Sequence, residues 1–311
     1  MELRQLRYFV GIVDAGSLTR AADHLHIAQP ALTQQVSNLE AELGVKLLTR
    51  SVRGVQPTEA GLAFYRHAQH ILRSCNDAAS AARNAGNEVS GTVSVGFPSS
   101  VGAVIAVQLI GAARERLPGV QLQITDSSSV YLAEMLQQGR LDLAVLFNDQ
   151  DVRGLTSRQL VVESLLLASQ GDGRPSDGPL GTVSLAEVAG HELLLPIRPN
   201  QLRLRVDEAF AQIGMAPRIL AEVSSMSVLA HAVVSGLAHT ITSWPVIAME
   251  IASGAILARR IVQPEITRTL TLCQPDVVAT GPAVQAVHAL LSELLLGAGA
   301  HAGWRPAATA P

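Results

Sequence analysis

Gln29, Pro30, Thr33 and Gln34 fall within six residues, and their side chains suit the edges of DNA bases. A glutamine amide can pair bidentately with adenine or contact guanine. A threonine can meet a thymine methyl or a phosphate. Leu32, Val36 and Leu39 recur at i, i+4 and i+7, so a helix would bury them and turn Gln29, Thr33, Gln34 and Ser37 outward. Pro30 suits the first turn of such a helix. A helix with that outer face is built to enter a major groove. Ser17, Thr19 and Thr58 stand at expected helix starts, where hydroxyls and backbone N–H groups can hold phosphates.

The elements around this run are legible. Leu3, Leu6, Phe9, Val10 and Val13 mark a first amphipathic helix, which Gly16 ends. Ser17 is a good N-cap for the next. The stretch Ala21 to Glu40 then reads as two short helices around a tight turn, closed by Gly44. Residues 47–58 carry short apolar segments around a turn at Arg53-Gly54, the pattern of a two-stranded wing. Residues 1–58 are thus expected to form a winged helix-turn-helix.

Residues 59–89 predict one long helix. Phe64, Ile71, Ala78 and Ala85 recur every seven residues, and Ala68, Cys75 and Ala82 form a second series offset by four. Two apolar positions per heptad are the mark of a helix paired in a coiled coil. The plainer alternative is a helix packed on its own domain. From 90 to 296 short apolar runs alternate with helical segments: 93–97, 120–124, 141–147, 163–169, 192–197, 218–223, 237–241 and 269–273. That predicts mostly parallel α/β structure in two units. The first would hold 90–163 and 267–296, the second 164–266. The tail 297–311, rich in Ala, Gly and Pro, is expected to be disordered.

Composition constrains the partners. Residues 1–90 hold nine Lys and Arg against eight Asp and Glu, a net of +1, within a chain of net charge −3. DNA binding must therefore rest on a few placed cations, on helix N-termini and on polar side chains. Two cysteines give no disulfide framework and no metal pattern. Nine histidines lack metal-ligand spacing, and no catalytic motif follows a strand, so no cofactor and no catalysis are expected. The start MELRQLRYF lacks an apolar signal region. The uncharged run Val223 to Met249 is long enough to span a bilayer, but Ser, His, Gly and Pro interrupt it. It reads as buried strand–helix–strand, and the protein as cytoplasmic.

The segment LRQLRYFVGIVDAGSLTRAADHLHIAQPALTQQVSNLEAELGVKLLTRSVRGVQPTEAG, residues 3–61, resembles the LysR-type transcriptional regulators. Within them IAQPALTQQVSNLE and TRSVRGVQPTEAG most resemble the nitrogen assimilation control branch. Leu48 and Thr49 depart from the usual residues before Arg50, and Ala28 stands where a capping serine is common. The resemblance implies a DNA-binding head, a dimerising linker helix and two subdomains similar to type 2 periplasmic binding proteins. It implies that Gln29, Pro30, Thr33 and Gln34 meet base edges. It also implies that Arg50 and Arg53 meet the backbone, Arg53 reaching a minor groove. The dimer seam would comprise Phe64, Ala68, Ile71, Cys75, Ala78 and Ala82.

In open α/β sheets ligands settle at the carboxyl ends of strands. Those ends point to Ser99, Ser100 and Val101, to Ser128, to Phe147, to Arg198, Asn200 and Arg203, and to Ser225. The hydroxyls and N–H groups at Ser99 and Ser100 could hold a carboxylate, with Arg198 or Arg203 adding charge from the facing unit. The expected partners are double-stranded DNA, further copies of the chain as a dimer or tetramer, and a small organic, anionic effector. A transcription regulator could also contact RNA polymerase. The rivals are a regulator set by its own abundance, a thiol switch at Cys75 and Cys273, and an α/β binding protein or enzyme with a helical appendage.

Overall fold

A computed structural model of the chain describes all residues except 52–53, 84–88, 148–153, 175–179, 277–279, 300–302 and 308–311. The head is built from α1 (Leu3–Ala15), α2 (Leu18–Leu25), α3 (Gln29–Leu43), β1 (Leu48–Ser51) and β2 (Gly54–Pro57). Their apolar faces converge on one small core of Phe9, Ile12, Leu32, Val36, Leu39 and Leu47. Gly16 turns left-handed at φ 60° to end α1, and its carbonyl accepts from Val55 N at 3.0 Å. That bond ties the wing to the α1–α2 turn. Gly54 permits it: at φ 119°, a Cβ there would lie 2.5 Å from the same carbonyl.

The helix α4 (Glu59–Arg83) leaves the head across α1. Phe64 stacks edge-to-face on Phe9 with centroids 5.2 Å apart, and Tyr65 and Ala68 are 3% and 1% exposed. Two residues of the expected dimer seam, Phe64 and Ala68, thus already have cover within the chain. Tyr65 and Phe64 join the head's own core, because the first turns of α4 lie over α1. Beyond them Ile71 and Cys75 are half-buried and Ala78 is exposed. The Ala82 side chain lies outside the described set.

The body holds two sheets. The first runs β14-β6-β13-β5-β3-β4. It comprises β3 (Ser90–Phe97), β4 (Gly119–Asp126), β5 (Leu143–Phe147), β6 (Leu155–Ser164), β13 (Thr267–Pro275) and β14 (Trp304–Pro306). Its helices are α5 (Ser99–Arg116), α6 (Ser129–Gln137) and α11 (Pro282–Gly297). The second sheet runs β10-β9-β11-β7-β12-β8. It comprises β7 (Leu166–Gln170), β8 (Gly181–Ser184), β9 (Glu192–Leu195), β10 (Arg218–Glu222), β11 (His239–Thr242) and β12 (Ile256–Val262). With it go α7 (Leu185–Val188), α8 (Gln201–Gln212), α9 (Met226–Val234) and α10 (Trp244–Ala252). Each sheet closes its own core, around Phe97, Ile105 and Leu270 in the first and Leu193, Val206 and Phe210 in the second.

Four expectations change. The sheets are mixed rather than mostly parallel, because β13 runs against β5 and β6 and β7 runs against β11 and β12. These are the strands beside the crossings between the units. The apolar run 163–169 is such a crossing: β6 ends at Ser164, β7 starts at Leu166, and Leu165 N donates to Ile266 O at 2.8 Å beside the returning chain. The run Val223 to Met249 folds as helix–strand–helix, α9-β11-α10, and among the described residues no helix is long and apolar enough to cross a membrane. The tail expected to be disordered is ordered at Trp304–Pro306, which pairs with β6 and buries Trp304 in the first core. An indole ring adds enough apolar area to hold a short segment that Ala, Gly and Pro alone would not.

Candidate nucleic-acid interface and ligand cleft

The turn between α2 and α3 closes at His26, which takes a left-handed φ of 54°. The helix α3 then starts at Gln29 with Pro30 in its first turn and no side-chain cap from Ala28. Leu32, Val36 and Leu39 face the core. Gln29, Pro30 and Gln34 are exposed, and Thr33 is half-buried. Gln34 Nε2 donates to Asn38 Oδ1 at 2.8 Å, which extends the polar face by a residue that spacing did not single out. Thr19 and Arg50 are exposed on the same domain, while Arg53 lies outside the described residues. Ser17 accepts from Arg20 N as an N-cap. The Thr58 hydroxyl donates to Lys46 O at 2.7 Å and accepts from Gly61 N at 2.9 Å. Those bonds fix the exit from the wing.

Glu40 holds α3 and the wing together. The side chain is 8% exposed and accepts from Leu47 N at 2.9 Å, Leu48 N at 3.1 Å and Lys46 Nζ at 2.7 Å. Burial raises its pKa, but the Lys46 ammonium and the two backbone donors outweigh that and hold it below the ordinary carboxylate value. An acid on the buried side of a helix was the available signal.

Between the two units of the body lies a cleft of about 270 Å³. The start of α5 supplies Ser99, Ser100 and Ala103. The facing wall brings Met226, Ser227 and His231 from α9 and Pro245, Val246 and Glu250 from α10. Ser99 Oγ donates to Asp126 at 2.7 Å. Of the predicted ligand residues, Ser99 and Ser100 line this cleft. Val101 is buried beneath it. Ser128, Asn200 and Ser225 cap α6, α8 and α9, accepting from backbone N–H groups.

The predicted arginines both have acidic partners within the second unit. Arg198 pairs with Asp207 at 2.6 Å. Arg203 is buried and donates to Asp207, to Glu222 and to Pro196 O. Arg203, a buried guanidinium, must fill its donors and does so within the second unit, whereas Arg198 is exposed and pairs at the surface.

Phe147 serves the cleft indirectly. The Arg268 guanidinium lies 3.5 Å from its ring centroid. Arg268 is 7% exposed and pairs with Glu163, itself 1% exposed. Arg268 Nη2 reaches Ser243 Oγ at 3.2 Å and Ser100 Oγ at 3.4 Å. Burial lowers the Arg268 pKa, and the Glu163 carboxylate opposes that shift. Both residues sit on the inward register of their strands, beside Leu270 and Val161. A charge in an inward position needs a partner, and that pattern was readable in the sequence.

Residues 3–62 match the bacterial regulatory helix-turn-helix protein, lysR family, and residues 86–295 match the LysR substrate binding domain. The chain is 39% identical over 298 residues to the nitrogen assimilation regulatory protein nac of Escherichia coli strain K12, covering 95% of both. It is 40% identical over 298 residues to that of Klebsiella aerogenes, again over 95% of both. Among solved structures it is similar to full-length CbnR complexed with its target DNA, at a TM-score of 0.63 and 26% identity over 95% of this chain and 100% of that one. The fold is also that of a full-length OxyR variant from Pseudomonas aeruginosa, at a TM-score of 0.71 and 24% identity over 95% and 94%. The chain belongs to the lysR family of bacterial transcriptional regulators, with a helix-turn-helix head and an effector-binding body.

Proposed function

We propose that two copies of this head read the half-sites of an operator through α3. The observation that carries the reading is the division of that helix: Leu32, Val36 and Leu39 are spent on the core while Gln29, Pro30 and Gln34 stand exposed. Gln34 and Thr33 would meet base edges, with Gln29 and Pro30 nearest the groove floor. Thr19, Arg50 and Arg53 would hold phosphates, and Ser17 and Thr58 would fix the helix starts beside them. A head of net charge near +1 binds weakly alone, and pairing raises the effective concentration of the second contact. The outer turns of α4 from Ile71 onward would supply the pairing. Val107, 79% exposed on α5, and the exposed strand β10 offer further faces for assembly into a tetramer.

The cleft would take a small organic effector. A carboxylate suits the start of α5, which has no side-chain cap. The work of the cleft is read as binding: Ser99 Oγ donates to Asp126, and Ser100 Oγ accepts from Arg268. The protein acts in the cytoplasm beside its DNA, within reach of RNA polymerase at a promoter.

Selection of duplexes from a random pool by the full chain tests the DNA reading. Enrichment of two half-sites at a fixed spacing is expected. Recovery of unpaired or sequence-independent duplexes would overturn it. A thermal-shift screen against small organic acids tests the cleft. A stabilising acid whose effect is lost in Ser99→Ala is expected, and an unshifted transition across the screen would favour a regulator set by its own abundance.

A further inference from the structure

Trp304, Glu163 and Arg268 form one row across three neighbouring strands, each directly opposite the next in register. Trp304 Nε1 donates to Glu163 Oε2 at 3.1 Å, and Glu163 Oε1 accepts from Arg268 Nε. The other arm of that guanidinium reaches two hydroxyls. Ser100 opens α5, one wall of the cleft, and Ser243 precedes α10, the other wall. Glu163 is next to last in the strand that leaves the first unit, and Arg268 is second in the strand that returns to it. Trp304 lies beyond residue 295, where the match to the substrate binding domain stops.

We propose that Arg268 is the positioning residue of the cleft, held by Glu163 and through it by the C-terminal Trp304, and that it sets the spacing between α5 and α10. A guanidinium suits this task because its planar fork presents several donors in fixed directions. The Phe147 ring stacks against it and keeps the fork from turning. Buried ion pairs add little net stability, and holding one arrangement is their better-attested use. The C-terminal segment thereby becomes part of the regulatory machinery: without the indole N–H, one buried carboxylate oxygen loses its donor and the row loosens from its far end. The proposal rests on reading the cleft as the effector site, but its test needs no effector, so the two can fail separately.

Amide hydrogen exchange on the ligand-free, full-length protein is the test. Trp304→Phe keeps an aromatic ring and deletes the donor. Arg268→Lys keeps the charge and loses the fork. Both should speed exchange in the first turns of α5 and α10 by about tenfold, the scale of one lost hydrogen bond to a charged group. The head helices and the second core around Phe210 should exchange at their original rates. The proposal is overturned if faster exchange is confined to β14 and β6, or if it rises evenly through the whole body.

Discussion

In the head, Gln29, Thr33 and Gln34 stand outside the core with the helix beneath them already complete. In the body, Ser128, Asn200 and Ser225 occupy similar places at helix starts, and each side chain is taken up by backbone N–H groups. The same kinds of residue therefore do different work. What separates them is whether the helix needs them. The helix α3 carries Pro30, which has no N–H to satisfy, in its first turn and runs on a buried stripe of Leu32, Val36 and Leu39, so its polar face is surplus to folding. Helices α6, α8 and α9 lack that proline, and their caps are structural. Surplus polarity is the better sign of a partner.

That contrast can be broken in graded steps. Glu40→Ala should have the largest effect, about 2–4 kcal/mol, because it leaves two buried backbone donors without an acceptor. Calorimetry should show the head's transition falling with the body's unchanged, together with loss of DNA binding. The same carboxylate has a pKa held below its ordinary value, so its contribution is present above that value and is lost as pH falls through the depressed one. The head's own transition should fall on acidification, and Glu40→Gln should weaken that dependence.

Arg203→Met comes next, at about 2 kcal/mol. That is less than the roughly 3–5 kcal/mol of a fully buried pair, since Glu222 is partly exposed. Urea titration should show the loss with and without effector alike. An Arg203→Met protein of full stability that no longer responds to effector would restore the arginine to the cleft. Ser128→Ala and Ser225→Ala should each cost about 1 kcal/mol as lost caps, read by the same titration. A smaller stability change with a large loss of response would make those serines ligand contacts instead.

Legibility followed sequence distance. The head was readable almost whole, since its period-3.6 stripes, its glycine stops and its turn lie within sixty residues. The family and the two-unit α/β architecture followed from it. The body's strands β8 and β12 were passed over: β8 is four residues long, and Arg259 and Arg260 interrupt the apolar texture of β12. The strand β6 was missed except at its end because Thr156 to Gln159 carry no apolar side chain to mark a strand. The cleft was half legible. Strand ends pointed to Ser99 and Ser100 and, through Ser225, to the start of α9 in the other wall, but not to α10. Trp304 was hidden by the composition around it.

The central claim is that α3 reads bases with residues the fold does not need. Fluorescence titration of the full chain against its selected operator and a scrambled duplex, over a series of salt concentrations, tests it directly with Gln34→Ala. The account predicts that discrimination between the two duplexes falls by about 1–3 kcal/mol while the salt dependence stays the same, because no charge was removed. Unchanged discrimination, or a loss of affinity equal on both duplexes, would contradict it.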